Sequence, residues 1–243
     1  MQTHSWNSRQ AKSAQTPNFG KKYIGEPNLL KLLGSLDRKN ILELGSGNGY
    51  WLELLASKSK TVRLTGIEKE PKQLQLAQQG KFAECITYIQ GDITQLKKLP
   101  LKSKSFDLVL LEHVLLEIPT RKKLEQVFTG AYQLLKNGGS IIVADLHPFA
   151  PSVVANITTK RDYHYFSSGD VFEIYSRRLD GKKTVYRDVH WTLEDIVQSM
   201  TKAGFAITAL LEPRPTVAQA KRHPELAYRL TKPMSLMIKA QKI

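Results

Sequence analysis

The sequence predicts an α/β protein built on a mostly parallel β-sheet with helices on both faces. Three observations support this prediction. A hydrophobic strand runs into a glycine-rich turn at Ile41–Tyr50. Strand patterns then alternate with helical patterns as far as Asp145, which is typical of βαβ units. Beyond Asp145 the chain becomes rich in aromatic residues and histidine, and it ends with two further strand patterns.

The elements of the first part follow in order. Leucines at helical spacing indicate a helix around Glu26–Leu36. Strands and helices then alternate, and Asn137-Gly138-Gly139 is predicted to end the last helix before the fifth strand. The predicted strands are Asn40–Leu44, Val62–Glu68, Ile86–Gln90, Phe106–Leu111 and Ser140–Asp145. The helices between them are predicted at Gly49–Ser57, Pro71–Gln79 and Thr120–Lys136.

An insertion at residues 146–190 is expected to form a lid over a substrate site. It carries many aromatic side chains and histidines. Asp180-Gly181 lies between the strand patterns Val171–Leu179 and Lys182–Val189, which is a strong indication of a β-hairpin.

The end of the chain completes the predicted sheet. A helix from Thr192 to Ala203 begins with Thr192 as its N-cap. Phe205–Leu211 and Leu236–Ala240 are predicted to be the last two strands, which brings the sheet to seven. We therefore divide the chain into an arm with helices at 1–38 and one α/β domain at 39–243 that contains the insertion.

The composition narrows the classes of function. The net charge is +14, from 36 Lys and Arg against 22 Asp and Glu, which fits an anionic partner or simply a solvated basic surface. Cys85 is the single cysteine, so an intrachain disulfide and a zinc-type Cys/His cluster are both excluded. No stretch has the apolar length of a membrane span, and the N-terminus lacks the apolar centre of a signal peptide. We expect a cytoplasmic protein without a bound metal.

The turn Gly45–Gly49 is the most informative stretch of the chain. Alternating glycines let the main chain adopt positive φ, and a strand–turn–helix unit presents backbone N–H groups to a ligand. Glu43 lies just before the turn, in a strand that is expected to be apolar on both faces. A buried carboxylate is costly unless a cation or a hydrogen-bond donor meets it. Glu43 would therefore repel a dinucleotide phosphate and attract an ammonium group.

These motifs resemble those of the class I S-adenosylmethionine (SAM) dependent methyltransferases of the small-molecule type. The resemblance covers about residues 40–146 well and 190–240 loosely, and four elements occur in the family's order and spacing. They are Glu43–Gly49, Gly66-Ile67-Glu68, Gly91-Asp92-Ile93, and Phe106–Val109 followed by Lys136–Gly139. The resemblance implies a Rossmann-like, seven-stranded, mostly parallel sheet with a β-hairpin lid after strand five.

The resemblance also implies SAM as cofactor and S-adenosylhomocysteine as product. In the family, an acid in the first strand and the glycine turn hold the methionine end of the cofactor. The matching residues here are Glu43, Gly45, Ser46, Gly47 and Gly49. Glu68 matches the acid that accepts hydrogen bonds from both ribose hydroxyls, and Asp92 with Ile93 matches the pair that meets the adenine. Glu112, at the end of the fourth strand, is a further expected cofactor contact.

Glu68 and Asp92 each have a simpler interpretation as an acid near a helix N-terminus. A nicotinamide-dependent oxidoreductase would share the fold but requires G-x-G-x-x-G. Counted from Gly45, the last glycine of that fingerprint falls on the bulky Tyr50. Glu43 also stands where such enzymes usually carry an apolar residue, so the motif favours methyl transfer over hydride transfer.

Residues that act on the acceptor are expected after strands four and five, because ligands of open α/β sheets bind beyond the carboxyl ends of the strands. His147 is the first candidate for a general base or acceptor-orienting group, and His113 and His190 follow. Each of these histidines could equally be structural. The expected acceptor contacts are Glu117, His147, Tyr163, Tyr165 and Phe166, although the aromatic residues could equally belong to the core of the hairpin.

Three kinds of function stay open. The first is methylation of an O, N or C atom of a small organic acceptor, the second is methylation of RNA or a polypeptide, and the third is a non-catalytic SAM-binding partner subunit. Glu112-His113-Val114-Leu115 lacks the Asn/Asp-Pro-Pro-aromatic motif that marks resemblance to exocyclic amine methyltransferases. Cys85 lies far from the place of the nucleophile that methylates pyrimidine carbon five. We expect a monomer or a homodimer.

Overall fold

The computed structural model describes residues 18–150, 157–158, 164–177 and 183–243. The start of the predicted arm (1–17), Tyr163 and the Asp180-Gly181 turn lie outside the described residues. Within the described ranges, no helix combines the length and the apolar character needed to cross a membrane.

The strands form one large and one small sheet. They are β1 (Asn40–Leu44), β2 (Arg63–Glu68), β3 (Ile86–Gln90), β4 (Phe106–Glu112), β5 (Leu135–Leu146), β6 (Ile157–Thr158), β7 (Val171–Arg177), β8 (Lys183–Val189), β9 (Phe205–Leu211) and β10 (Ser235–Lys242). The large sheet has the order β3-β2-β1-β4-β5-β10-β9. Strands β1 to β5 are parallel, and β10 runs antiparallel to β5 and β9. The predicted fold class is confirmed.

Helices cover both faces of the large sheet. They are α1 (Glu26–Leu33), α2 (Tyr50–Lys58), α3 (Pro71–Ala77), α4 (Arg121–Leu134), α5 (Leu193–Lys202) and α6 (Val217–Arg222). Side chains of a strand alternate between the two faces. Leu42 and Leu44 accordingly pack in the core that contains α4 and α5, whereas Ile41 packs with α1 and α2. Because α1 shares this core, residues 26–33 are part of the α/β body.

Strand β5 begins five residues earlier than the sequence predicts. The expected turn Asn137-Gly138-Gly139 is a bulge inside the strand, and the pairing with β4 shifts register beside it. Gly138 has φ +74°, and a Cβ at Gly139 would come within 2.9 Å of the Lys136 carbonyl. Lys136 itself pairs with Asp107 at 2.7 Å. The glycines therefore let the strand continue instead of ending the helix.

Strands β6, β7 and β8 form a separate antiparallel sheet, the lid sheet. Strands β7 and β8 pair from Val171↔Val189 to Arg177↔Lys183, as the hairpin prediction requires. Just after β8, the indole N–H of Trp191 donates to the Leu115 carbonyl at 3.1 Å. Leu115 opens the 3₁₀ turn Leu115–Glu117 that follows β4. The lid sheet is thereby tied down beside the carboxyl ends of β4 and β5.

Helix α6 and the 3₁₀ turn Pro224–Leu230 lie between β9 and β10 and were not predicted. A capping box between Thr216 and Gln219 begins α6, and this signal is readable in the sequence. The rings of His223 and Tyr23 stack with their centroids 4.1 Å apart. This unit therefore holds the segment at residues 18–25 against the carboxyl edge of the sheet.

Candidate functional site

The glycine turn after β1 is held in place by its own backbone N–H groups. Gly45 and Ser46 both donate to the Ile67 carbonyl at 2.9 Å, and Gly49 donates to the Ser46 carbonyl at 2.9 Å. The Gly47 N–H donates to Glu68 Oε2 at 2.8 Å. These four N–H groups therefore shape the turn itself.

The three glycines of the turn have positive φ, between +54° and +79°, but they serve different purposes. A Cβ at Gly45 would lie 2.5 Å from Val114 Cγ2, and one at Gly49 would lie 2.3 Å from the Tyr88 hydroxyl. A Cβ at Gly47 would meet no atom within 4 Å. Gly47 thus borders open space beside the turn, where a ligand can approach the main chain.

Glu43 is a buried carboxylate with an unpartnered oxygen. It is 1% exposed, and its Oε2 has no hydrogen-bond partner among the described residues. Burial is the largest cause that raises the pKa of Glu43 well above its usual range, and Glu112 and Glu68 add to it while Lys21 opposes it. A cationic ligand beside Glu43 would stabilise its ionised form.

Two further buried polar atoms lie beside the turn without partners among the described residues. They are Ser46 Oγ and the Tyr88 hydroxyl. Burial and the charge of Glu43 both raise the pKa of Tyr88, so its hydroxyl keeps its proton and acts as a donor. Buried polar groups normally have partners, so this set indicates a polar ligand at the end of β1.

Glu68 ends β2 and is buried. Its Oε2 accepts from Gly47 and its Oε1 accepts from the Glu70 N–H at 2.8 Å. Burial raises the pKa of Glu68 more than these two N–H groups lower it. Because each carboxylate oxygen can accept more than one hydrogen bond, Glu68 can shape the turn and still bind a diol.

Asp92 follows β3 and caps the 3₁₀ segment Ile93–Lys98, where it accepts from the Thr94 N–H at 2.8 Å. Burial raises its pKa, but the hydrogen bonds from Thr94 and Gln95 outweigh this and lower it. Asp92 is thus ionised and half-buried at the carboxyl edge. Ile93 packs against the core beneath it.

Asp107, by contrast, belongs to the opposite edge of the sheet. It accepts from the Asn40 N–H at 2.8 Å and pairs with Lys136. The motif that opens the fourth strand is therefore structural and contributes no group to the site.

Glu112 and His113, at the end of β4, lie beside Lys21 and Asp145. Glu112 Oε2 is 3.4 Å from Lys21 Nζ, and His113 Nε2 is 3.6 Å from Glu112 Oε1. His113 Nδ1 is 3.7 Å from Asp145 Oδ1. The His113 side chain is 57% exposed and its φ is +51°, which is unusual for a residue other than glycine. The backbone therefore turns the imidazole towards two carboxylates and solvent.

Three carboxylates meet between the lid sheet and the carboxyl ends of β4 and β5. Asp145 is buried and accepts from the Leu115 and Leu146 N–H groups. Glu117 pairs with Lys69 at 3.3 Å. Burial, then the charges of Asp145 and Glu117, raise the pKa of Asp188 on β8 to about 7. Asp188 therefore exchanges a proton near neutral pH.

His147 has both ring nitrogens engaged. Its Nδ1 accepts from the Phe149 N–H at 3.1 Å, and its Nε2 lies 3.0 Å from Glu212 Oε1. Burial lowers the pKa of His147 more than Glu212 raises it. This arrangement ties the end of β5 to the end of β9 and leaves the imidazole no free nitrogen for an acceptor.

His190 is buried and its Nε2 donates to the Tyr165 carbonyl at 2.6 Å. The Tyr165 hydroxyl accepts from the Leu193 N–H at 3.2 Å. Phe166 is 78% exposed and packs edge-on against Tyr165. These contacts order the base of the lid, and Phe166 faces solvent rather than a closed pocket.

A small cavity lies under the lid, at the end of β5. It is lined chiefly by apolar side chains, together with one buried carboxylate and two histidines. Those that bear on the chemistry are Leu115, Asp145, His147, Phe172, His190 and Trp191. Within the described part of the chain, no group of three or more His, Cys, Asp or Glu side chains is arranged to hold a metal ion.

Comparison with known proteins agrees with this geometry. Residues 42–143 match the sequence model of a family described as "Methyltransferase domain". A crystal structure of an S-adenosylmethionine dependent methyltransferase from Mesorhizobium loti has a TM-score of 0.67 and 22% identity, and covers 89% of this chain and 96% of that one. The likeness shows the same fold. Residues 42–143 thus match a methyltransferase domain, and the chain has the fold of a SAM-dependent methyltransferase.

Two curated relatives extend the comparison. An uncharacterized protein of Haemophilus influenzae is 24% identical over 239 residues, which cover 90% of this chain and 87% of the relative. Human arsenite methyltransferase is 32% identical over 119 residues, which cover 44% of this chain and 30% of that enzyme. The match thus spans less than a third of the human enzyme's length.

The carboxyl edge of the sheet fits SAM as cofactor. A ligand could lie against Gly47, where a Cβ would occupy free space, and could supply a cation to Glu43. The unpartnered Ser46 and Tyr88 oxygens lie beside the same turn. These atoms suit a zwitterionic amino acid group joined to a nucleoside.

Sequence reasoning missed three charged residues of this edge, Lys21, Asp145 and Asp188. Asp145 carried a readable signal, because it ends its strand just as Glu43 and Glu68 lie near the ends of theirs. Lys21 and Asp188 carried none. The first reaches the site from 91 residues away in sequence, and the second lies in a hairpin strand with mixed polarity.

Proposed function

We propose that this methyltransferase moves a methyl group to an O, N or C nucleophile of a small organic acceptor. The observation that carries the proposal is the lid sheet beside the carboxyl ends of β4 and β5. Trp191 fastens it to the Leu115 turn, and the small cavity beneath it is lined mainly by apolar side chains. A sheet that covers the carboxyl edge in this way would shield a small acceptor and the reacting groups from water.

The cofactor is proposed to bind along the ends of the first three strands. Glu43 and Glu112 would bind its ammonium group, Glu68 its ribose hydroxyls, and Asp92 with Ile93 its adenine. The turn Gly45–Gly49 would lie against its methionine end. The support is the buried, unpartnered oxygen of Glu43 and the open space beside Gly47.

When bound, SAM supplies an electrophilic methyl group on a sulfonium, and the protein's task is to orient the nucleophile and handle its proton. Of the three candidate histidines, His113 is best placed to accept that proton. Its ring is exposed, and its two nitrogens lie 3.6 and 3.7 Å from carboxylate oxygens of Glu112 and Asp145. His147 and His190 are held by hydrogen bonds within the protein.

A macromolecular acceptor is a second candidate, favoured by the net charge of +14. Lysines such as Lys97, Lys98 and Lys122 are exposed and could contact the phosphates of RNA. An exposed basic surface also serves solubility, so the lid sheet beside the carboxyl edge weighs more heavily in favour of a small acceptor.

The test is incubation of the purified protein with methyl-labelled SAM and a cell extract that is then separated into small-molecule, RNA and protein fractions. We expect label in the small-molecule fraction. The matched control is Gly47→Val, whose side chain would fill the open space beside the turn. Label in RNA or protein, or equal labelling by the control, would contradict the proposal.

A further inference from the structure

Lys21 places a positive charge beside the carboxylates of the cofactor site. Its Nζ lies 3.4 Å from Glu112 Oε2, 4.2 Å from the centroid of the Tyr50 ring and 5.2 Å from that of Trp51. Its side chain is 21% exposed. It is also the positive charge that acts on Glu43. A lysine ammonium is thus held among aromatic faces and carboxylates, which is an arrangement that favours a cation.

The fold itself positions this lysine. Lys21–Gly25 is a π-helical turn that continues into α1, and such turns are frequent at functional sites. On its outer side, Tyr23 stacks on His223 and its carbonyl accepts from Gln219 Nε2 at 3.3 Å. With its backbone fastened to α6, the segment directs Lys21 inward over Tyr50.

Charge balance determines what Lys21 does when the cofactor binds. The methionine end of the cofactor brings an ammonium group, a carboxylate and a sulfonium. Glu43 and Glu112 suit the ammonium group, but they would repel the carboxylate unless a cation stayed beside it. If Lys21 stays, the negative charges of Glu43, Glu112 and the cofactor's carboxylate are balanced by the positive charges of Lys21, the ammonium group and the sulfonium. If Lys21 leaves, the partly buried site keeps a net charge of −1.

We propose that Lys21 binds the carboxylate of the cofactor while Glu43 and Glu112 bind its ammonium group. The inference rests on the proposed placement of the methionine end at the end of β1. The Lys21 ammonium then changes its ion-pair partner from Glu112 to the cofactor's carboxylate and stays against the Tyr50 and Trp51 rings. The segment at residues 18–25 closes the cofactor site by this contact.

Calorimetry with two ligands tests the proposal without any need for an acceptor. S-adenosylhomocysteine carries the amino acid group, whereas 5′-methylthioadenosine lacks it. We expect Lys21→Gln to weaken binding of S-adenosylhomocysteine at least about tenfold, the loss typical of a hydrogen bond to a charged group. Binding of 5′-methylthioadenosine should be unchanged.

Two further variants serve as controls. Lys21→Arg keeps the charge and should restore most of the affinity for S-adenosylhomocysteine. Lys22→Gln removes a neighbouring lysine that pairs with Glu26, and it should bind both ligands like the wild type.

Unchanged or tighter binding of S-adenosylhomocysteine by Lys21→Gln would overturn the proposal, because it would mean that the cofactor displaces the lysine. Equal weakening of both ligands would also overturn it and assign Lys21 a structural role. If the wild-type protein bound neither ligand, the proposed cofactor site itself would be wrong, which is a separate result.

Discussion

The backbone N–H of Gly47 donates to the Glu68 carboxylate at 2.8 Å, so the residue that ends β2 also fixes the turn that follows β1. The second Glu68 oxygen accepts from Glu70 at 2.8 Å. The carboxylate is therefore held in one orientation before any ligand arrives. Preorganisation of this kind reduces the cost of binding.

Replacing Glu68 by alanine should weaken binding of S-adenosylhomocysteine by about 1–3 kcal/mol, because the ribose would lose its acceptor and Gly47 its partner. Isothermal titration calorimetry measures the change. Glu84→Ala, which removes an exposed carboxylate outside the site, serves as the control. Unaltered affinity in Glu68→Ala would disprove the assignment of Glu68 to the ribose.

Two of the loop glycines, Gly47 and Gly49, should respond differently to substitution by alanine. Gly47→Ala faces open space, so its stability should fall only by the cost of its positive φ, about 1–2 kcal/mol, while ligand binding weakens. Gly49→Ala must also displace Tyr88 and should unfold at lower urea concentration than Gly47→Ala. Urea unfolding combined with calorimetry separates the two effects. Equal stability of the two variants would contradict this distinction.

Much of this site was predictable because its residues are local in sequence. The strands Asn40–Leu44, Ile86–Gln90 and Phe205–Leu211 have the predicted bounds, and Glu43 and Glu68 lie at or next to the ends of β1 and β2. A short apolar run bounded by turn residues is a local signal that favours a strand.

The parts of the candidate site that the sequence did not predict depend on contacts between residues far apart in the chain. His147 is the natural candidate base after strand five, yet Glu212 and the Phe149 N–H occupy its nitrogens. Lys21 is one lysine among many in a polar segment until the fold brings it to Glu112. Tertiary partners of this kind have no local pattern, so the sequence alone shows neither the partners of His147 nor the position of Lys21.

Substitution of His113 and His147 should separate catalysis from structure. Asparagine tolerates the positive φ of residue 113, so His113→Asn should fold normally and lower the rate of methyl transfer about a hundredfold if the imidazole accepts a proton. His147→Asn should transfer methyl groups nearly normally but lose about 1–3 kcal/mol of stability with its two hydrogen bonds. Label-transfer rates and urea unfolding provide the two readouts. The opposite pattern would return the role of base to His147.

Asp188 should make stability depend on pH. Its pKa is raised from 3.8 to about 7, chiefly by burial and further by Asp145 and Glu117. Between these values the folded state keeps a proton that the unfolded chain has lost, so the free energy of unfolding falls as the pH rises from about 4 to about 7. Asp188→Asn should remove this slope and be more stable than the wild type at pH 8, with the advantage vanishing near pH 4. Urea unfolding at several pH values measures the difference in the free energy of unfolding between the variant and the wild type. Asp170→Asn, at an exposed residue, is the control. If the stability difference between Asp188→Asn and the wild type did not change with pH, the pKa of Asp188 would not be raised in the folded state.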